Sequence, residues 1–408
     1  MTRLHLWAAV LAALFTACAR APGIEDSSFA ITPLTLSAAE DSRMPQLTAS
    51  ADRAVVSWVD IDTESNTGDS RATLRFAERS ASGWTEPRTA ASGTNWFLTA
   101  ADVPSVARLD DGTIAAHWPE ATDPENEAYD VRLVFSKDEG RTWTAPISPH
   151  HDGTKTQHGF ASLFQMPGAG LGLVWLDGRQ VDPKSGKDDM SVRAATFNRD
   201  GTQTSDTLVD ARVCDCCPMS TAVTPDGPIV AFRDRSAGEI RDIAVSRFAN
   251  GAWTTPRTVH DDGWEIRACP VNGPAISAHG RTVAIAWFTA KDDQGHAFAA
   301  FSQDAGATFA APVRLDDVGS TGRVGVAVLD DGSAAATWVE VVDRQAKFQL
   351  RRVDASGRRS PAQTVATMSG GRSSVYPRLV RRGQELLLAW VGTENGRSGV
   401  KTAAASLP

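Results

Sequence analysis

Short apolar runs separated by polar turns recur along the chain, and seven of them share one register. VVSWVD, AAHWPE, GLVWLD, IVAFRD, AIAWFT, AATWVE and LLAWVG place Trp58, Trp118, Trp175, Phe232, Trp287, Trp338 and Trp390 at equivalent positions. Thirteen or fourteen residues upstream of each, a small residue or proline opens another apolar run: Pro45, Pro104, Ala161, Pro218, Pro274, Gly325 and Pro377. These openings are spaced from 51 residues (Pro274 to Gly325) to 59 residues (Pro45 to Pro104). Self-similarity at such a period marks a repeat architecture.

Within a unit the runs are short, rich in Val, Ala and Leu, and of alternating or wholly apolar character, which predicts strands. Asp110-Asp111-Gly112 and Asp330-Asp331-Gly332 read as tight hairpins between the first and second strands. A third run follows the Trp strand and a fourth follows a polar turn. Four strands in about 55 residues make one blade of a β-propeller. The seventh unit stops after its third strand, VKTAAAS, and ITPLTLS at residues 31 to 37 resembles the missing outer strand. Pairing the two closes the ring and removes an open edge. The expected architecture is an all-β, seven-bladed propeller spanning residues 30–408 as one domain.

The turns between third and fourth strands carry a family resemblance. SKDEGRTW (136–143) and SQDAGATF (302–309) match the Ser-x-Asp-x-Gly-x-Thr-aromatic pattern called the Asp-box, and the chain resembles the sialidase-like propellers that bear it. In this pattern the Asp carboxylate accepts turn N–H groups, Gly takes positive φ and the aromatic tucks between strands. Degenerate copies stand at Ser82-Gly83-Trp84, Asn250-Gly251-Ala252-Trp253 and Arg199-Asp200-Gly201. Sialidases resembling this chain have six blades, so six is the competing count.

Composition narrows the setting. With 408 residues and 42% apolar content the chain can bury a full core, and a net charge of −8 without a basic run offers no footprint for nucleic acid. At the N-terminus, Arg3, the apolar run Leu6 to Phe15 and then Thr16, Ala17 and Cys18 read as an export signal. The last residues resemble a bacterial lipoprotein cleavage box, which implies removal of the preceding residues and acylation of Cys18. Residues 1–18 are then signal with lipobox cysteine and 19–29 a tether, and Ala19 after the cysteine implies the outer membrane or its periplasmic face.

In four-stranded blades, loops entering strand one and loops leaving the Trp strand share one face and converge on the central channel. The sialidase resemblance assigns roles there. That family clamps an anionic sugar with arginines, whose forked donors suit a carboxylate, and attacks with a Tyr. Ser42-Arg43-Met44-Pro45 resembles the family's Arg-containing opening. The resemblance implies substrate-binding Arg43, Arg235 and Arg323, a nucleophile at Tyr376, one of two tyrosines, and an acid/base at Asp69. Tyr376 would need a carboxylate partner, for which Glu265 and Glu239 are the candidates. The family's second first-blade arginine is absent, with Asp62 near its place.

VCDCCP (213–218) holds three of the five cysteines, Cys214, Cys216 and Cys217, just before the opening of one blade. Cys269 precedes the opening of the next. In an exported chain these four would form disulfides, with a bridge from Cys214 or Cys216 to Cys269 within reach. The competing reading makes Cys214, Cys216, Cys217 and Cys269 a soft-metal site for copper or zinc. Two functions therefore stand open: binding, with hydrolysis of the exo-α-sialidase type, of an anionic glycan by a lipid-anchored propeller, or a non-catalytic binding or assembly propeller with a cysteine-rich metal rim. The first requires no cofactor.

Overall fold

The structure, a computed structural model, describes residues 23–407 apart from 51–52, 63–69, 167, 169, 183, 369–375 and 395. The export signal, Cys18 and Asp69 lie outside the described residues. Seven antiparallel sheets follow one another along the chain. Their first strands are Arg43–Ser50, Ser105–Arg108, His158–Gln165, Ser220–Thr224, Ala275–His279, Gly322–Val328 and Arg378–Arg382, which open blades 1 to 7. All seven line one central channel of about 640 Å³.

Closure occurs as the terminal pattern predicts. Ala30–Leu34 pairs antiparallel with Arg397–Ser406, with Ala30 opposite Ser406 and Leu34 opposite Thr402. The N-terminal ribbon is thus the outer strand of blade 7. Blade 2 departs from four strands: its sheet has three. Its fourth run is reduced to a single bridge, in which Ile147 N–H donates to Leu133 O at 3.0 Å and Leu133 N–H to Ile147 O at 2.8 Å. Pro146 and Pro149 flank Ile147, and a proline has no N–H to extend a ladder.

The core is a ring of wedges between neighbouring blades. Blades 7 and 1, for example, share a cluster in which Leu387, Ala389 and Val400 meet Val56 and Trp58. The register-marking aromatics sit at the base of these wedges, with Trp58, Trp175, Trp287 and Trp338 fully buried. Three of these indoles donate to the acid two residues on: Trp58 to Asp60 at 2.9 Å, Trp175 to Asp177 at 2.8 Å and Trp338 to Glu340 at 3.2 Å. Residues i and i+2 of a strand share a face, and a buried indole N–H needs an acceptor. Asp60, Asp177 and Glu340, which leave the Trp strands towards the channel mouth, are therefore occupied by their own tryptophans.

The opposite face is built from local turns. In the first Asp-box, Ser136 Oγ donates to Asp138 Oδ1 at 2.9 Å, and Thr142 gives its N–H to Oδ1 at 2.9 Å and its hydroxyl to Oδ2 at 2.7 Å. Gly140 takes φ +76°, and a Cβ there would lie 2.7 Å from Phe76. Ser302, Asp304, Gly306 and Thr308 repeat this arrangement. Each turn aromatic reaches the preceding blade: Trp143 meets Phe76 edge-on at 6.1 Å, and Trp253 meets Phe164 at 6.3 Å. Trp84 donates to Thr402 at 3.0 Å across the closure.

Candidate functional site

Where the chain enters strand one, blades 1, 3 and 6 break their ladders with a bulge, and the bulged residue has left-handed φ: Met44 (56°), Phe160 (53°) and Arg323 (58°). Such a bulge re-aims a side chain, and the unfavourable backbone persists only where surroundings enforce it. At Arg323 the enforcement is visible. Asn272 Oδ1 accepts the Arg323 N–H at 3.1 Å, and a Cβ at Gly322 would lie 2.0 Å from the same oxygen.

The re-aimed Arg323 meets Tyr376. Its Nη1 donates to the phenol oxygen at 2.7 Å, its guanidinium lies 4.2 Å from the ring centroid, and Nη1 also bonds Val271 O. The phenol hydrogen goes to the same Val271 carbonyl. Arg378, two residues after Tyr376 on the channel wall, approaches the ring at 5.4 Å and donates to Pro45 O of blade 1 at 3.2 Å. Beneath them Arg233, 1% exposed, is held by three carbonyls: Asn272 at 2.8 Å, Arg241 at 2.5 Å and Phe288 at 2.7 Å. Among the described residues no carboxylate is ion-paired with Arg233, Arg323 or Arg378. Burial pushes the Tyr376 phenol well up, against the pull of Arg323 and Arg378, so it stays a neutral donor. Burial, reinforced by Arg323, holds the Arg378 guanidinium down to about 10.

The cysteines adjoin this cluster. Cys216 and Cys269 are disulfide-bonded, with Cα atoms 6.0 Å apart, whereas Cys214 and Cys217 are buried thiols. One disulfide forms where two were expected. The Sγ atoms of Cys214, Cys216 and Cys217 lie within 4.8 Å of one another. Arg241 donates to Cys214 Sγ at 3.5 Å. Burial raises the Cys214 thiol, but hydrogen bonds from Cys217 and the Cys216 N–H, together with Arg233, outweigh it and bring the thiol down. Cys217 is pushed up by burial and by its bond to Cys214.

Other sequence-selected residues stand apart. Arg43 is exposed and bonds Asp41 O at 3.3 Å. Arg235, expected to clamp a ligand, instead forks onto Glu239 at 2.8 Å and reaches Asp188 at 2.9 Å, so nearby carboxylates already take its donors. Glu265, expected beside Tyr376, is exposed and 3.5 Å from Arg267. Its segment pairs with residues 239–241, Arg241 N–H donating to Trp264 O and Ile266 N–H to Glu239 O, each at 2.9 Å. Trp264 turns inward beneath Arg233 at 4.9 Å, so alternation sends Glu265 outward. Glu239, the other candidate partner, is held by Arg235 and Arg241.

Sequence reasoning did not single out Arg378, whose signal was its i+2 spacing from Tyr376 on one strand, nor a histidine pair between blades 2 and 3. His158, fully buried, stacks on His150 at 3.8 Å with ring planes 4° apart. Asp130 Oδ1 lies 3.6 Å from His158 Nδ1 and 3.8 Å from His150 Nε2, while Asp152 Oδ2 lies 3.2 Å from His158 Nε2. His150, His158 and Asp130 have the donor chemistry for a cation such as zinc. Parallel rings, however, confine their in-plane lone pairs to two separate planes, which do not meet at one point.

No protein-family model matches the chain, and no curated protein matches it. Solved structures do. The chain is similar to the polysaccharide lyase Uly1 (TM-score 0.54, 8% identity, 88% of this chain and 89% of that one). It is also similar to a protein of unknown function from Dyadobacter fermentans (TM-score 0.51, 14% identity, 92% and 98%) and to the phage phi92 endosialidase (TM-score 0.50, 9% identity, 94% and 70%). At such identities the likeness concerns the propeller fold.

Proposed function

We propose that the protein binds an acidic glycan at the loop-side mouth of its channel, with Arg323 and Arg378 receiving the ligand's carboxylate or sulfate. The observation that carries this reading is a charge imbalance: Arg233, Arg323 and Arg378 surround Tyr376 with neutral oxygens as their partners. The half-buried guanidiniums of Arg323 and Arg378, without a carboxylate, attract an anion, and their forked donors suit a planar or tetrahedral one. Proteins of similar fold include a polysaccharide lyase and an endosialidase, consistent with a glycan ligand.

Binding stands ahead of hydrolysis in this reading. A Tyr nucleophile needs a base, and the Tyr376 hydrogen is directed at a backbone carbonyl. The exo-α-sialidase activity that the sequence resemblance implies is therefore the finer proposal, and an export lipid on Cys18 at the outer membrane is the matching proposal for location. The test is titration of the purified chain with sialylated, uronic-acid and neutral oligosaccharides. Acidic sugars should bind, and Arg378→Gln should weaken them about tenfold or more, the value of one charge-assisted hydrogen bond. Equal binding of neutral sugars, or none of acidic ones, overturns the reading. Release from a fluorogenic sialoside, lost in Tyr376→Phe, would establish the hydrolytic form.

The convergence of three sulfurs within 4.8 Å favours a second reading, a copper or zinc site at the rim, which requires the Cys216–Cys269 bond to be reduced. Stoichiometric metal on the reduced protein, lost in Cys216→Ser, would support it.

A further inference from the structure

The cysteine quartet has an inside and an outside that glycan binding does not use. Cys269 is exposed and its disulfide partner Cys216 is half-buried, whereas Cys214 and Cys217 are each 1% exposed. Cys214 Sγ stands 3.8 Å from Cys216 Sγ, van der Waals contact for two sulfurs and the approach from which a thiolate attacks a disulfide. Cys214 and Cys217 are spaced C-x-x-C, the spacing at which a dithiol closes readily and serves in redox exchange. Arg241 donates to Cys214 Sγ, so a cation is in place to favour the attacking thiolate.

We propose that these four cysteines form a thiol–disulfide relay between the surface bond Cys216–Cys269 and the buried pair Cys214 and Cys217. In the first step the Cys214 thiolate attacks Cys216 Sγ; the Cys214–Cys216 bond forms, the Cys216–Cys269 bond breaks, and Cys269 leaves as a thiolate at the surface. In the second step the Cys217 thiolate attacks Cys214 Sγ; the Cys214–Cys217 bond forms and Cys216 leaves. The protons of the two buried thiols end on Cys216 and Cys269. One disulfide is lost and one gained, so no external oxidant is consumed. The exposed dithiol then reduces a disulfide on an incoming protein or small molecule, re-forming Cys216–Cys269. Run in reverse, the relay reduces the buried bond again by way of an external dithiol.

The experiment is disulfide mapping by mass spectrometry on the full chain, acid-quenched and alkylated after incubation in glutathione buffers of graded redox ratio. The one-disulfide protein should contain both Cys216–Cys269 and Cys214–Cys217 isomers, and the most oxidising buffer should give both bonds together. Cys217→Ser should trap the Cys214–Cys216 intermediate, with labelling of Cys269 rising several-fold over the wild type. Cys214→Ser should lock Cys216–Cys269 in the one-disulfide form; should that variant not fold, the Cys217→Ser trap carries the test. Cys216–Cys269 as the sole bond at every ratio, with Cys214 and Cys217 alkylated throughout, overturns the relay. So does stoichiometric copper or zinc on the purified protein that leaves no cysteine free to exchange.

Discussion

The Asp-box turn around Asp138 and the channel mouth around Tyr376 are both networks of polar groups, yet they are assembled over different distances along the chain. Every partner of the Asp138 side chain lies between residues 136 and 142. Tyr376 bonds a carbonyl 105 residues away and a guanidinium 53 residues away, and the nearby Arg233 joins blade 4 to blade 5. The turn can form as soon as its eight residues are in place. The mouth exists only once the ring has closed. Damage to the turn should therefore stay local, whereas damage to the mouth should reach both stability and ligand.

The largest expected effect tests the long-range side. Arg233→Ala removes the donors from three buried carbonyls and should destabilise the fold by about 3–5 kcal/mol in chemical denaturation. A loss below about 1 kcal/mol would mean that water replaces the guanidinium and the mouth is not held from beneath. Gly140→Ala tests the local side: with φ +76° and Phe76 2.7 Å from the new Cβ, about 2 kcal/mol should be lost, with glycan affinity unchanged. Coupled loss of affinity would merge the two regions that the comparison separates.

Tyr376→Phe deletes one hydroxyl from the mouth and should cost about 1 kcal/mol of stability while altering ligand affinity. An effect on stability with none on any ligand would make Tyr376 a packing residue. The smallest effect is a pH dependence. Hydrogen bonds from the Thr142 N–H and hydroxyl hold the Asp138 carboxyl down to about 2, below its ordinary 3.8. Because the folded value is the lower one, this stabilisation is complete above pH 4 and is lost as pH falls towards 2. Asp304 is depressed in the same direction by Thr308 and Ser302. Thermal scans of Asp138→Asn should show a shallower loss between pH 4 and pH 2 than the wild type, and an equal slope would remove the turn carboxylate from the acid response.

Much of the architecture was legible because its signals are short-range and repeated. The aromatic register, the Asp-Asp-Gly hairpins and the Ser-x-Asp-x-Gly-x-Thr turns depend on neighbours within a few residues, and the seven copies of the register reinforce one another. The weakened fourth strand of blade 2 was also legible in principle, from the prolines on either side of Ile147. The site was less so. Arg235 and Arg323 look alike as isolated loop arginines, but Arg235 has Glu239 four residues away, whereas no acid stands within five residues of Arg323 in the sequence. Glu265 was a plausible partner for Tyr376 until the inward turn of Trp264 pointed it outward.

By itself the sequence determined the repeat register, the turn chemistry and the ribbon that closes the ring, since strand alternation and turn propensities act over distances the chain cannot rearrange, while the seven sheets of the structure settled seven blades against six. Only the tertiary structure decided that Cys216 rather than Cys214 joins Cys269, that Asp60, Asp177 and Glu340 serve their own tryptophans, and that Arg233, Arg323 and Arg378 gather at one opening. Those outcomes depend on which side chains face each other after closure, and a contact between residues 271 and 376 leaves no periodic mark on either segment.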